Sequence, residues 1–256
     1  MTFIMQPNST ISGWQAPDGS NILFPEVEIK FGKEKKLRGG APVCCPNFGN
    51  APTDGPYKGI TLPKHGLVRT CNQTKDRSIA PDNRSMYQDG PEVTEDGWTQ
   101  NHYIFQYPCF HEVWVSAKLG KSPLLNEQMH HRISLGTESI HDIDMPYSIG
   151  FHPYFATAGG NFLLRHGGES WKSRDLAVDD PFYVPACGPL FDIVTQNFSV
   201  QIEILRGYTG FDVWTDRPDI YICVEPVRVD PEDRYMVLPA GEASICECLM
   251  TYSKRS

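Results

Sequence analysis

None of the eight cysteines of this chain forms a C-x-x-C pair, the spacing of metal knuckles and redox motifs, so a zinc site is not expected. No apolar run approaches the length of a membrane span, and none is expected to cross a bilayer. Basic residues are not clustered. The formal charge is −8, and the one basic run, Lys33-Glu34-Lys35-Lys36, contains an acid and reads as a solvated turn. A nucleic-acid partner needs a basic face for its phosphates, so that class is excluded. There is no phosphate-binding loop, no dinucleotide fingerprint, and no G-x-S-x-G context around Ser148. Helical periodicity is scarce. Met1 to Pro7 lacks a charged start and a full apolar stretch, so no signal peptide is read there. The expectation is a cytosolic protein whose N-x-S/T triplets, such as Asn72-Gln73-Thr74, go unused.

What is present is strand. The 256 residues are 40% hydrophobic and 21% charged, a globular balance that fits a single domain over 1–256. Glycine (22) and proline (21) are spread throughout, as in many short strands joined by turns. Period-two or continuous apolar runs predict strands over 21–31, 99–107, 111–119, 128–136, 198–205, 211–214, 220–225 and 243–252. Pro108-Cys109 breaks the second from the third. Cys223, Cys246 and Cys248 sit in such runs as small hydrophobes, with Cys246 and Cys248 on one side of their strand. The Pro- and Gly-rich stretch 47–64 reads as a long loop, and 74–97 as a second. The pattern predicts an all-β fold, a sandwich of large antiparallel sheets with few short helices. With no exposed apolar helix or coiled-coil pattern, a monomer is expected.

Two residues stand out for chemistry. His152, in Ser148-Ile149-Gly150-Phe151-His152-Pro153-Tyr154-Phe155, lies among aromatic and apolar neighbours; it is either a satisfied structural group or a positioned proton donor. Glu225 closes the hydrophobic run Ile220-Tyr221-Ile222-Cys223-Val224-Glu225-Pro226, where a carboxylate must be paired or used. A histidine and a glutamate on apolar scaffolds are a minimal kit for proton transfer near neutral pH. Arg38, before Gly39-Gly40, is either a surface arginine at a turn or a multidentate donor to a ligand's oxygens. Pro63-Lys64-His65-Gly66-Leu67-Val68-Arg69 ends the first long loop and is expected to enter a strand. His130 and His131 must face opposite sides of their strand, so they share no metal.

In order, the chain reads R-G-G-x-P, H-G-x-x-R, F-H-P-Y-F, C-V-E-P and L-P-A-G-E ahead of the last strand. In that order it resembles the aldose 1-epimerase, or galactose-mutarotase-like, superfamily from about Asn21 to Tyr252. Arg38 to Phe48 and His65 to Arg69 look like the glucose-6-phosphate 1-epimerase branch. His-Pro-Tyr-Phe departs from that branch, which commonly has a small residue, threonine then tyrosine around its catalytic histidine, where this chain has Pro153. The resemblance implies a large antiparallel β-supersandwich with a sugar cleft across one sheet. It implies His152 as general acid, Glu225 as general base, and His65 as a partner at the ring oxygen or a neighbouring hydroxyl. It places Arg38 on substrate oxygens, Arg69 as the branch's arginine, and Asp179, or equally Asp180, on sugar hydroxyls. The implied reaction interconverts the α and β anomers of a hexose or hexose phosphate and needs no metal or organic cofactor. The alternative is a carbohydrate-binding or sugar-sensing protein that keeps the cleft without the catalysis.

Overall fold

The computed structural model describes residues 2–5, 11–53, 55–58, 62–70, 78–79, 85–93, 99–107, 110–121, 128–139 and 142–255. Alternation decides the architecture. In Phe198–Arg206, Phe198, Val200 and Ile202 are buried while Ser199, Gln201 and Glu203 are not. The larger sheet has ten strands, in the spatial order Glu169–Lys172, Phe162–His166, Leu190–Thr195, Phe198–Arg206, Ala243–Lys254, Gln128–Ser139, Phe110–Lys121, Thr99–Tyr107, Ser85–Val93 and Ser78–Ile79. The smaller sheet runs Phe182–Pro185, Gly210–Trp214, Tyr221–Arg228, Ile149–Phe151 and Val43–Cys44, with Tyr154–Ala156 also paired to Tyr221–Arg228. All of these pairings are antiparallel.

One apolar core lies between the sheets. It joins Ile133, Val200 and Met250 of the larger sheet to Phe151, Val213 and Val224 of the smaller. The expected antiparallel β-sandwich is the fold observed. Among the described residues, helix is confined to Gly66–Thr70 and two single 3-10 turns. No helix there is long and apolar enough to cross a membrane. Every described cysteine is free; Cys71, Cys109, the break at Pro108 and the Asn72 triplet lie outside the described residues.

Three local expectations need correction. The segment 21–31 is not one strand: Asn21 and Leu23 make isolated bridges, and a ladder forms only over Val27–Phe31. Pro25, which has no N–H to give, separates the two parts. The segment 74–97 is not all loop. Ser85–Val93 pairs with Thr99–Tyr107, with a register shift between Asp89 and Glu92 around Gly90-Pro91. Backbone pairing near a sheet edge does not need the apolar alternation that a central strand shows. The H-G-x-x-R segment enters a short helix, Gly66–Thr70, not a strand. His65 and Gly66 both have left-handed φ, 69° and 80°, and this reverses the chain into the helix.

Candidate active site

The register of the smaller sheet assembles the site. In the strand Tyr221–Arg228, Ile222 and Val224 face the core, so Cys223 and Glu225 face the opposite side. On one flank Asp212 pairs with Glu225 and Trp214 with Cys223. On the other, Gly150 pairs with Val227 and Tyr154 with Cys223. Those two pairings share one register across the interruption at His152-Pro153, and that register sets His152 opposite Glu225. The ladder breaks there because neither Pro153 nor Pro226 has an N–H. The His152 N–H donates to the Pro42 carbonyl instead, at 3.0 Å. His152 Nε2 lies 3.4 Å from Glu225 Oε1, and the two residues are 3% and 2% exposed.

Gly150 makes room for the next layer: a Cβ there would overlap the Phe48 ring. Phe48 is fixed by its N–H, which donates to the buried Ser148 hydroxyl at 2.7 Å. Its ring packs edge-on to His65 at 5.4 Å and tilts against His152 at 6.4 Å. The Asn47 amide donates to the carbonyls of Gly49 (2.9 Å) and Pro63 (3.1 Å), tying together the two loops that carry Phe48 and His65. The His65 N–H donates to Gly49 O at 2.8 Å, and the Gly49 N–H donates to His65 Nδ1 at 3.3 Å. With Nδ1 accepting, a neutral His65 carries its proton on Nε2. His65 and His152 meet edge to face at 5.5 Å.

Tyr154 stacks on His152 with ring centroids 4.7 Å apart and planes 6° from parallel. Its hydroxyl accepts from Arg69 Nη2 at 3.2 Å. Arg69 Nη1 has no hydrogen-bond partner although it is buried. Arg38 is more fully engaged. Its Nε and Nη2 both donate to Asp216, at 3.1 and 2.8 Å, and Nη1 donates to the Leu37 carbonyl. Asp216 also accepts from the Tyr221 hydroxyl. The Arg38 guanidinium lies over Trp214 at 5.2 Å and Phe31 at 5.5 Å. Asp179 stands at the rim with φ 62°, accepting from Trp214 Nε1 at 3.1 Å.

These groups share one cleft of about 720 Å³, a volume suited to a small molecule. The structure brings Arg38, His65, Arg69, His152, Asp179 and Glu225 into its wall, while Asp180 is exposed and does not line it. Asp212 and Arg234 are among the lining residues not read from the sequence. Asp212 accepts from both terminal nitrogens of Arg234.

Burial dominates the electrostatics. It pushes His152 well below its ordinary value, with help from Arg69 and His65. It pushes Glu225 well above its own, with Asp212 adding to the rise. His65 falls to about 3, through burial and then Arg69 and Lys64. Both shifts favour the uncharged forms, His152 without its second proton and Glu225 with one. Their 3.4 Å approach is longer than a charge-assisted hydrogen bond, which agrees with a neutral pair. His152, Cys223 and Glu225 bring potential ligand atoms within 4.8 Å of one another. The set suits a metal poorly: burial pushes the Cys223 thiol well above its ordinary value, and the Arg69 cation acts on all three groups.

No family model matches the chain, and no curated protein matches it. Solved structures do. A galactose mutarotase related enzyme from Lactobacillus acidophilus is 17% identical, with TM-score 0.66 over 98% of this chain and 93% of that one. A galactose mutarotase-like protein from Lactobacillus casei is 13% identical, with TM-score 0.65 over 98% and 97%. A protein from Synechocystis is 16% identical, with TM-score 0.63 over 99% and 91%. At these identities the likeness is one of fold, and the chain has the galactose mutarotase-like β-sandwich fold.

Proposed function

We propose that the protein is an aldose 1-epimerase, a mutarotase interconverting the anomers of a hexose, with Glu225 as base and His152 as acid. The contact between these two side chains carries the reading. The anomeric oxygen O1 and the ring oxygen O5 are both bonded to C1, so an acid and a base serving them must stand side by side. In ring opening Glu225 takes the O1 proton, His152 protonates O5, and the C1–O5 bond breaks to leave the aldehyde. After rotation about C1–C2, His152 takes the proton back from O5 as it attacks the other face, and Glu225 returns a proton to O1. The ion-paired and neutral forms of the couple are thus the two ends of each half-reaction, and no proton need leave the cleft. Positioned groups of this kind typically contribute about 10²–10⁴-fold each.

Arg69 Nη1, buried and without a partner, is the group best placed to take a substrate oxygen; His65 offers Nε2–H. Arg38 and Asp179 line the wall as further contacts, with Trp214 between them as a stacking surface. Glu225→Gln keeps the shape and removes the base. Anomer exchange followed by NMR should slow by about 10²-fold or more; unchanged exchange would eliminate the assignment. The finer proposal, a hexose phosphate, assigns the anion to Arg69 with Lys64 nearby. Arg69→Ala should then weaken glucose 6-phosphate more than glucose, and equal weakening would reject it.

The neutral resting pair favours one other reading, a sugar-binding protein that does not catalyse. That protein would bind hexose in calorimetry while the wild type left the rate of anomer exchange untouched.

A further inference from the structure

Glu225 has a second carboxylate beside it that the epimerase reading does not use. Asp212 is its cross-strand partner, on the flank away from His152, and is 6% exposed. Its carboxylate is held by both terminal nitrogens of Arg234. Arg234 comes from the turn after the central strand, where it has φ 65°, and its guanidinium lies 5.6 Å over Tyr183. That turn is fixed: the Arg234 N–H donates to Asp230 O at 2.8 Å, and the Asp230 carboxylate accepts the N–H groups of Glu232 and Asp233. We infer that Asp212 and Arg234 are positioning residues, a charge pair beside Glu225 that governs when Glu225 ionises. The catalytic consequence rests on the mutarotase reading; the titration does not.

Two adjacent buried carboxylates do not both ionise readily. Burial raises Asp212 and the Arg234 fork opposes that rise; a charged Asp212 favours the protonated form of Glu225, while the Arg234 cation itself favours the charged form of Glu225. The other groups facing Glu225 act differently. His152 touches it from the opposite strand, while Arg69, from the short helix, and Lys64, from the loop before it, favour its charged form. Cys44, Tyr154 and Cys223 are held neutral by burial. Among these described neighbours Asp212 is the one carboxylate. Removing Asp212 or Arg234 should therefore move Glu225 in opposite directions, whereas loss of a structural ion pair would not.

The test titrates Glu225 by carboxyl carbon NMR and follows the acid limb of anomer exchange in wild type, Asp212→Asn, Arg234→Gln and Arg234→Lys. Asp212→Asn should move the Glu225 midpoint down, and Arg234→Gln should move it up, each by roughly one pH unit. Arg234→Lys, which keeps the charge, should stay near wild type. Shifts of the same sign, or none, would overturn the inference. Should Asp212→Asn fail to fold, the two Arg234 variants decide alone, because that side chain is 35% exposed and its loss leaves no cavity in the core. Wild type without turnover would remove the mutarotase reading, and the NMR midpoints would still judge this one.

Discussion

His65 is held by two hydrogen bonds to one residue, and they fix its tautomer. Gly49 donates to Nδ1, so the proton sits on Nε2, while burial with Arg69 and Lys64 nearby pushes the imidazole down to about 3. Nitrogen NMR should show the Nε2–H tautomer, unchanged from pH 7 down to about pH 4; titration near the ordinary histidine value of roughly 6.5 would contradict the site as built. At this scale the sequence was informative where a polar residue interrupts an apolar run. His152 and Glu225 stood out in that way, and His65, Arg69 and Arg38 stood out beside glycines. Asp212 did not, because an acid alternating with Phe211 and Val213 looks like a solvent-facing strand position. What sets it beside Glu225 is strand pairing, and pairing has no local signature. Arg234 was hidden for another reason: nothing within Asp230-Pro231-Glu232-Asp233-Arg234 itself points to the side-chain pairing with Asp212.

Strands that cross the middle of either sheet were legible because one face must be apolar. Phe198–Arg206 shows it directly, while Tyr221–Arg228, buried on both faces, shows a near-continuous apolar run. The misread elements are those whose form is set by neighbours and not by their own pattern. Ser85–Val93 gains its ladder from Thr99–Tyr107, and Gly66–Thr70 turns helical behind the left-handed His65 and Gly66. The stretch from Ile149 to Ala156 is the element on which the site depends. It runs in one register past Glu225, is interrupted around Pro153 and, on the partner strand, Pro226, and carries a glycine where Phe48 must lie flat. Gly150→Ala drives a methyl group into the Phe48 ring. Overpacking of this kind costs about 1–3 kcal/mol, read from urea unfolding. Anomer exchange should fall too, because Phe48 supports both His65 and His152. Gly188→Ala, with open space at its Cβ, is the control and should stay within about 0.5 kcal/mol of wild type. Equal stability of the two variants would refute the close-packing account.

On the scale of the whole molecule, burial favours the neutral form of two core imidazoles, His131 and His152. His131 stacks on Phe151 at 3.8 Å, has no partner at Nδ1, and is pushed down to about 3 by burial and His130. His152 is pushed well below its ordinary value for the same first reason. In the unfolded chain both take up protons near pH 6.5. Their folded values are depressed, so the unfolded state binds more protons below that pH. The stability these neutral groups allow is complete above about pH 6.5 and is lost as pH falls toward their folded values. Each fully buried imidazole then removes about 1.4 kcal/mol per pH unit, so two remove roughly 3, against a typical total of about 5–15 kcal/mol. Glu225 acts in the opposite sense: its folded value is raised, so its contribution is complete below the unfolded value of 4.5 and is lost as pH rises through the folded one. It therefore reinforces the folded state where the histidines weaken it; Asp212, which burial also raises, acts with it, and His65, pushed down to about 3, acts with the other imidazoles. Thermal unfolding measured from pH 7.5 to 4 should show a falling midpoint beginning near pH 6.5. His131→Phe, which keeps an aromatic ring against Phe151 and cannot take up a proton, should make that fall shallower by about 1.4 kcal/mol per pH unit. A midpoint that stays level through pH 5 in the wild type, or a slope that His131→Phe leaves unchanged, would mean that His131 is solvated in the folded protein and that the core does not close over it.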